Sequence, residues 1–316
     1  MTGRPSLPRL PAPAARVLCR LALRPALALP VPAQRRWLDL LAHLPPLPPG
    51  TRVLRARLGG VPVEVVRPAR PGPEAAGRVI VHLHGGAYLT GSPRSHRPLA
   101  AAVAAAAGLD VVVPDYRLAP EHPFPAALDD ALAVVHALAD QGRTVALSGD
   151  SAGAGLALAA TLDLPPDRRP AALALLSPWL DLTAAAPWRR HRVDQPVDRD
   201  PVLTRRWLEL GCRAYAGVQP ADPRVSPLPA LLRDGIPPLP PVLVLSGAED
   251  PLVADADRLV AALQAAGRAV RHERSAGLWH DVPTLAGMAV AADELCATVG
   301  RFLAEPDAQP DVRAGR

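Results

Sequence analysis

The sequence predicts an α/β fold: a mostly parallel central sheet flanked by helices. Short apolar runs typical of buried strands alternate along residues 78–303 with longer segments that show helical periodicity. This alternation is typical of parallel strands joined by crossover helices, which cover both faces of the sheet. With 316 residues, 49% of them hydrophobic, the chain is long enough to bury one large core.

The elements follow one another in a regular order. Two apolar runs on either side of Gly59-Gly60 predict a β-hairpin over residues 53–67. The helix predicted at 124–139 carries one apolar stripe, formed by Leu128, Leu132, Val135 and Leu138. Further strands are predicted at 78–84, 109–114, 144–148, 171–177, 242–247 and 269–274, and further helices at 98–108, 152–162, 253–266 and 290–303.

Two regions break the alternation. Residues 188–241 contain prolines and the aromatic residues Trp188, Trp207 and Tyr215, and we interpret them as an insertion between two core strands that forms a lid. The N-terminal region is rich in proline and arginine, which predicts a short amphipathic cap segment or a loose tail. Its apolar stretch is interrupted by Arg20 and Arg24, so neither stable membrane insertion nor export is expected.

Composition narrows the function classes. Every basic residue is arginine, the net charge is +5, and only 3% of residues are aromatic. Because the arginines are spread along the chain, no nucleic-acid partner is expected. The three cysteines, Cys19, Cys212 and Cys296, form neither a metal-ligand pattern nor a disulfide framework, which fits a reducing, cytoplasmic location. No cofactor or metal motif is present, and the sequence leaves open whether two copies form a homodimer.

The pentapeptide Gly149-Asp150-Ser151-Ala152-Gly153 indicates a nucleophile. It joins a predicted strand to a predicted helix, a context in which a serine is held exposed at a tight, strained turn. The two glycines remove side chains that would clash in such a turn. Ser151 is therefore the candidate nucleophile.

A serine hydroxyl needs a base, and the base needs an orienting acid. His280 follows the last predicted strand on a loop that can reach the carboxyl edge of the sheet, whereas the alternative, His272, lies within that strand. Asp250 follows the strand at 242–247 and is the favoured acid; the neighbouring Glu249 is the alternative.

An acyl transfer also needs donors for the developing oxyanion. The stretch His84-Gly85-Gly86-Ala87-Tyr88 follows a predicted strand, and adjacent glycines let a backbone approach a ligand. We expect the N–H groups of Gly85 and Gly86, together with that of Ala152, to form this site. His84 and Asp150 are expected to support it.

These motifs resemble those of the hormone-sensitive-lipase-like esterases, a bacterial branch of the α/β-hydrolases. The resemblance covers residues 78–303. It includes the two glycine motifs above and the segments 115–125, 127–131, 177–181, 222–228 and 250–252.

The resemblance implies the α/β-hydrolase fold, hydrolysis of carboxylic esters through an acyl-enzyme on Ser151, and no cofactor. It also implies a helical cap made of residues 1–48 and 188–232, a core of 49–187 and 233–305, and a C-terminal tail of 306–316. The substrate would be a small-molecule ester of a short- or medium-chain acid. A lactone, an acetylated metabolite, and a non-catalytic role in ligand binding are the alternatives.

Further residues carry more specific expectations. We call residues 84–88 the oxyanion loop. A buried charged network that braces this loop is expected from Asp115, Arg117, Glu121 and Asp129. Ala87 and Ala154 stand where the family usually has glycine, and the methyl group of Ala87 is expected to narrow the acyl pocket. Trp279 is expected to wall the substrate site, and Asp281 to raise the pKa of His280.

Overall fold

A computed structural model describes residues 9–189 and 200–305. One sheet of eight strands runs through the described part, in the order β1-β2-β4-β3-β5-β6-β7-β8. The first two strands pair antiparallel with each other, β2 pairs antiparallel with β4, and the remaining neighbours are parallel. The strands are β1 (Arg52–Leu58), β2 (Val61–Arg67), β3 (Arg78–Leu83), β4 (Val111–Pro114), β5 (Thr144–Asp150), β6 (Leu173–Leu176), β7 (Val242–Gly247) and β8 (Val270–Ser275).

Helices cover both faces of this sheet. On one face, α3 (Arg97–Ala107) packs against α9 (Val290–Ala304). On the other face lie α4 (Ala126–Asp140), α5 (Ala152–Asp163) and α8 (Val253–Ala265). The predicted α/β fold with a mostly parallel sheet is therefore confirmed.

The central strands are buried on both faces, as their continuous apolar runs predict. In β3, Val79 and Val81 join the core beneath α4 and α5, while Ile80 joins the core beneath α3 and α9. This division follows from the two-residue period of a strand. The edge strand β1 is mostly exposed, in agreement with its arginines.

Helices also form in the two regions that interrupt the strand-helix alternation and that the family resemblance assigns to a helical cap. The N-terminal segment, residues 9–48, contains α1 (Ala12–Leu18), a π-helical turn (Cys19–Leu23), a 3₁₀ turn (Arg24–Ala28) and α2 (Val31–Leu41). The insertion contains α6 (Arg205–Ala216) and α7 (Pro227–Asp234). No helix among the described residues has the length and apolarity needed to span a membrane. Residues 1–8, 190–199 and the predicted tail 306–316 lie outside the described residues.

Polar contacts attach the N-terminal segment to the rest of the chain. Gln34 of α2 is buried, and its Oε1 accepts a hydrogen bond of 3.0 Å from Trp207 Nε1 of α6. Arg16 of α1 donates to Glu249 at 2.5 Å, and its guanidinium lies over the ring of Trp279. The N-terminal segment therefore lies against both the insertion and the loops that follow the last strands.

The close approach of α5 to β3 generates a stability prediction. A Cβ atom added at Gly153 would lie 2.0 Å from the carbonyl oxygen of Leu83, which is backbone and cannot rotate away. Gly153→Ala should therefore lower the free energy of unfolding by at least about 2 kcal/mol. Gly77→Ala is the matched control, because Gly77 has a negative φ and nothing within 4 Å of an added Cβ. Equal thermal midpoints for the two variants would contradict this account.

Candidate active site

The strand-to-helix turn at Ser151 has the strained geometry that the pentapeptide predicts. Ser151 lies between β5 and α5. Its backbone has φ 52° and ψ −118°, a conformation that residues other than glycine rarely adopt. A Cβ atom at Gly149 would lie 2.2 Å from the carbonyl oxygen of Gly153, so the turn requires glycine there. The Ser151 side chain is thereby held at the carboxyl edge of the sheet, where it borders a cavity.

Three side chains from separate loops meet at this turn. His280 Nε2 lies 2.9 Å from Ser151 Oγ, and His280 Nδ1 lies 2.9 and 3.0 Å from the two carboxylate oxygens of Asp250. Since a carboxylate only accepts, Nδ1 carries the proton and Nε2 is free to accept one from the serine. All three side chains are buried. The geometry is that of a nucleophile, a base and an orienting acid.

The alternative base and acid lie elsewhere. His272 is in β8 and contacts Ser246, with its Nε2 2.9 Å from the serine oxygen. Glu249 is half-exposed and pairs with Arg16 of the N-terminal segment. Neither side chain is oriented toward Ser151, which leaves His280 and Asp250 as the candidates.

The pKa of His280 is raised, but not by the residue we expected. Burial alone would lower this pKa, and the Asp250 carboxylate, followed by Asp200, raises it above its ordinary value. Asp281 is partly buried and lies near Asp150, and both effects raise the pKa of the Asp281 carboxyl well above its usual range. The carboxylates that raise the pKa of His280 are thus Asp250 and Asp200, and the neighbouring Asp281 is not among its main causes.

Asp200 is a site residue that sequence reasoning missed. Its Oδ2 accepts a hydrogen bond of 3.0 Å from the backbone N–H of His280, and its Oδ1 accepts from the N–H groups of Val202 and Leu203. Asp200 is buried and lies in the insertion, so the insertion directly positions the loop that carries His280. Only the fold brings these residues together, because 80 positions separate them in the sequence.

The oxyanion loop differs in one residue from the prediction. The Gly85 N–H donates to Asp150 Oδ2 at 2.9 Å, so the assignment of Gly85 as an oxyanion donor is wrong. Among the described residues, the N–H groups of Gly86, Ala87 and Ala152 have no hydrogen-bond partner. Ala87, which the sequence suggested only as a narrowing side chain, has φ 53° and lies against Gly211 of α6 rather than lining the cavity.

A buried carboxylate, Asp150, holds the oxyanion loop in place. Besides Gly85, it accepts from His82 Nε2 at 2.9 Å and from His96 Nε2 at 3.2 Å. Burial by itself would raise the pKa of Asp150, but His96 and the hydrogen bond from His82 hold it well below its ordinary value. His84 supports the same loop: its ring stacks on Tyr116, and its carbonyl accepts from the Tyr116 hydroxyl at 2.6 Å.

The buried charged network expected from residues 115–129 does not form. Arg117 is half-exposed and binds Asp130 in bidentate fashion, rather than Asp115 or Asp129. Glu121 is half-exposed and pairs with Arg35 of α2. That arginine also donates to the carbonyl groups of Leu89 and Ala119, so α2 braces the end of the oxyanion loop. These residues are charged and close in sequence, which is why the sequence and the family resemblance suggested one network.

A mostly apolar cavity of about 200 Å³ lies over Ser151 and His280. Its walls come from the N-terminal segment, the insertion and the loop that carries His280; Trp279 is among them, as expected. Its lining also includes the polar residues Thr90, Ser95, His96 and Asp281. Residues of the N-terminal segment lining the cavity include Leu18, Cys19, Ala22, Leu23, Leu27, Leu38 and Leu41.

The fold, together with the arrangement of Ser151, His280 and Asp250, is typical of hydrolases of the α/β class. A family model described as alpha/beta hydrolase fold matches residues 80–284. An acetyl-hydrolase of Streptomyces hygroscopicus is 40% identical over 239 residues, which cover 74% of this chain and 75% of that protein. An esterase of Acinetobacter venetianus is 35% identical over 282 residues, 87% of this chain and 89% of that protein.

The solved structures agree with these relatives. The crystal structure of an esterase from the bacterial hormone-sensitive lipase family is 31% identical, with a TM-score of 0.80, and the match covers 96% of this chain and 99% of that one. The chain therefore belongs to the α/β-hydrolase family, within its hormone-sensitive-lipase-like esterase branch.

The Asp200 contact predicts a change in pH dependence. A base must be neutral to accept a proton, so kcat/KM falls as the pH drops through the pKa of His280. Asp200 stabilises the charged imidazolium and raises this pKa. Asp200→Asn removes that charge, so the acid limb of kcat/KM should move to lower pH.

The matched control is Asp222→Asn, which removes a carboxylate of the same insertion that pairs with Arg224 instead. Its acid limb should stay in place. If Asp200→Asn lowers the thermal midpoint while its acid limb stays in place, Asp200 has a structural role alone.

Proposed function

We propose that this protein hydrolyses carboxylic esters of short- to medium-chain acids through an acyl-enzyme on Ser151. The observation that carries the proposal is the continuous contact from Ser151 Oγ through His280 to Asp250. The relatives described above, named esterase and acetyl-hydrolase, support the same reaction class.

In the first half of the reaction, Ser151 Oγ attacks the ester carbonyl carbon while His280 Nε2 takes the hydroxyl proton. The imidazolium that forms is stabilised by Asp250. The tetrahedral intermediate collapses as the C–O bond to the alcohol breaks, and His280 returns its proton to the departing alkoxide. Ser151 then carries the acyl group as an ester.

In the second half, a water molecule replaces the alcohol. His280 takes a proton from this water, and the resulting hydroxide attacks the acyl carbon. Collapse of the second intermediate breaks the bond to Ser151 Oγ, which recovers a proton from His280. The products are the acid and the free enzyme, so the cycle consumes only ester and water.

We assign the oxyanion donors to Gly86, Ala87 and Ala152. Their N–H groups have no partner among the described residues, and an unpaired buried donor is costly unless it serves a ligand. Preorganised donors of this kind stabilise a developing oxyanion by about 3 kcal/mol each. The role of Asp150 and His84 is to fix the loop rather than to contact the oxyanion.

The size and the lining of the cavity favour a substrate whose acyl or alcohol group is apolar and of limited length. Leucine is the commonest residue in its lining, and its volume is about 200 Å³. The acetyl-hydrolase relative indicates that short acyl chains suit this scaffold. A purely ligand-binding role is disfavoured, because a binding protein has no need for a histidine tautomer aligned on a serine.

The nucleophile and base can be tested directly. Ser151→Ala should lower kcat for p-nitrophenyl acetate by about 10⁴-fold or more, because no other hydroxyl lies beside His280 Nε2 among the described side chains. His280→Ala should have nearly the same effect. His272→Ala is the matched control, since it removes a histidine whose contact is Ser246, and it should keep most activity.

Circular dichroism should show that the Ser151→Ala variant is folded. Retained turnover in that variant, or a larger loss in His272→Ala than in His280→Ala, would refute the assignment.

Acyl length can be measured with a panel of p-nitrophenyl esters. We expect kcat/KM to be highest between acetate and octanoate and to fall at least about tenfold for palmitate, because a long chain exceeds the enclosed volume. Highest activity on palmitate would contradict the proposed substrate class. A γ-lactone in the same series tests the cyclic alternative.

A further inference from the structure

Two loops carry the acid and the base of the site. The acid loop, residues 248–252, follows β7 and carries Asp250. The base loop, residues 276–281, follows β8 and carries His280. The contact of His280 Nδ1 with the Asp250 carboxylate, at 2.9 and 3.0 Å from its two oxygens, spans the two loops. The relative position of the loops therefore sets this contact, on which the tautomer and the orientation of the base depend.

The base loop has little packing of its own where it leaves β8. Ala276 and Gly277 are exposed, and Gly277 has φ 71° with nothing within 4 Å of an added Cβ atom. A backbone hydrogen bond of 2.9 Å joins the next residue to the acid loop, from the N–H of Glu249 to the carbonyl group of Leu278. A glycine in open space leaves the backbone free to turn, so contacts from another segment matter for the position of this stretch.

Arg16 of α1 contacts both loops. Its Nη2 donates to Oε2 of Glu249, the residue before the acid, at 2.5 Å. The same nitrogen donates to the carbonyl group of Gly277 in the base loop at 3.3 Å. Its guanidinium carbon lies 4.9 Å from the centre of the ring of Trp279, the residue before the base. One planar group thus joins the acid loop to two positions of the base loop.

These contacts suit a guanidinium in particular. Its N–H groups point in fixed directions in one plane, so it can donate to a carboxylate and a carbonyl group while its face lies on an aromatic ring. A lysine ammonium is a compact charge that cannot make all three contacts at once. The Arg16 side chain is only 24% exposed, so it lies between the loops rather than in solvent.

The backbone that carries Arg16 is fixed by other contacts. Ala15 and Cys19, near Arg16 in sequence, are buried in an apolar cluster with side chains of the base loop. Arg9 pairs with Asp293 of α9 at 3.0 Å, which attaches the beginning of the N-terminal segment to the core. An ion pair with a half-exposed partner also adds little to stability. The contacts of Arg16 therefore matter more for the position of the two loops than for attachment of the segment.

We propose that Arg16 is a positioning residue for the site, which holds the acid loop and the base loop at the separation that keeps His280 Nδ1 on the Asp250 carboxylate. Its kinetic consequences rest on the proposed function, to which it adds a residue outside the three reacting side chains. Because α1 also lines the cavity through Leu18, the segment that encloses the substrate is the one that holds the base. A movement of α1 away from the cavity would remove Arg16 from both loops, so closure of the cavity and alignment of the base are coupled.

The test compares Arg16→Met with Arg9→Met in the full chain. Methionine keeps an apolar stem against Trp279 and removes the guanidinium. We expect Arg16→Met to lower kcat for p-nitrophenyl acetate at least about tenfold, since a small misplacement of a base is costly. Arg9→Met is the matched control, because Arg9 belongs to the same segment but pairs with Asp293 of α9. It should keep the wild-type kcat.

Two acyl lengths separate a loss of positioning from a change in the shape of the cavity. A misplaced base slows the reaction of every ester alike. Arg16→Met should therefore lower kcat for the acetate and hexanoate esters by the same factor and change KM by less than about twofold. Displacement of α1 from the cavity would instead raise KM for the hexanoate ester more than for the acetate ester, and that outcome would overturn the proposal.

A second variant tests the geometry of the guanidinium. Arg16→Lys keeps the charge that pairs with Glu249 but loses the planar arrangement of donors, so kcat should fall about threefold at both acyl lengths, less than in Arg16→Met. A wild-type kcat in Arg16→Lys would contradict the proposal. This milder variant also allows the comparison with Arg9→Met if Arg16→Met does not fold.

The proton on His280 Nδ1 gives a readout that does not need turnover. Its downfield proton NMR resonance, identified by its loss in His280→Ala, should broaden or vanish in Arg16→Met and persist in Arg9→Met. An unchanged resonance in Arg16→Met would overturn the positioning role, as would, in an active enzyme, a kcat within about twofold of wild type. If the wild type hydrolyses no ester while the resonance still depends on Arg16, the proposed function fails and the positioning role stands.

Discussion

The arrangement of the active site depends on one buried carboxylate, that of Asp150. It lies at the end of β5, next to Ser151, and its oxygens accept from the Gly85 N–H, from His82 of β3 and from His96. A buried charge is tolerated only when its hydrogen bonds are satisfied, and removing one partner is expensive. The strained nucleophile turn and the oxyanion loop are therefore fixed relative to each other, because both are bound to the same carboxylate. Catalysis by preorganised donors requires this kind of fixation.

The second half of the site depends on segments outside the sheet. His280 lies on a loop after β8. The backbone N–H of His280 donates a hydrogen bond to Asp200 of the insertion, and the ring of the neighbouring Trp279 packs against the guanidinium of Arg16 in α1. Arg24 of the N-terminal segment in turn donates to the carbonyl group of Asp200. The base is thus positioned by the N-terminal segment and the insertion, which also form walls of the cavity. Substitutions in these two segments should alter the orientation and the pKa of His280 as well as the access of the substrate to Ser151.

The sequence predicted those features that depend on local pattern. The alternation of strands and helices predicted the parallel sheet. The positions of Ser151, Asp250 and His280 just after predicted strands indicated that the fold would bring these three residues together. Contacts between distant segments escaped prediction. The Gly85 N–H was wrongly assigned as an oxyanion donor because two adjacent glycines look equivalent in sequence. The contact that distinguishes Gly85 from Gly86, its hydrogen bond to Asp150, is visible only in the fold. Asp200 and Arg35 gave no signal, since each makes its key contacts with distant segments.

The N-terminal segment shows why local pattern fails in such places. A helix with one apolar face usually buries that face and exposes polar residues. Here α2 has apolar residues on opposite sides, with Leu38 toward the cavity and Leu40 toward the exterior, so its periodicity is blurred. The prolines and arginines added to the impression of a loose tail. Yet its order comes from specific contacts, such as Gln34 with Trp207 and Arg35 with Glu121, that stabilise a helix whose outer face remains apolar.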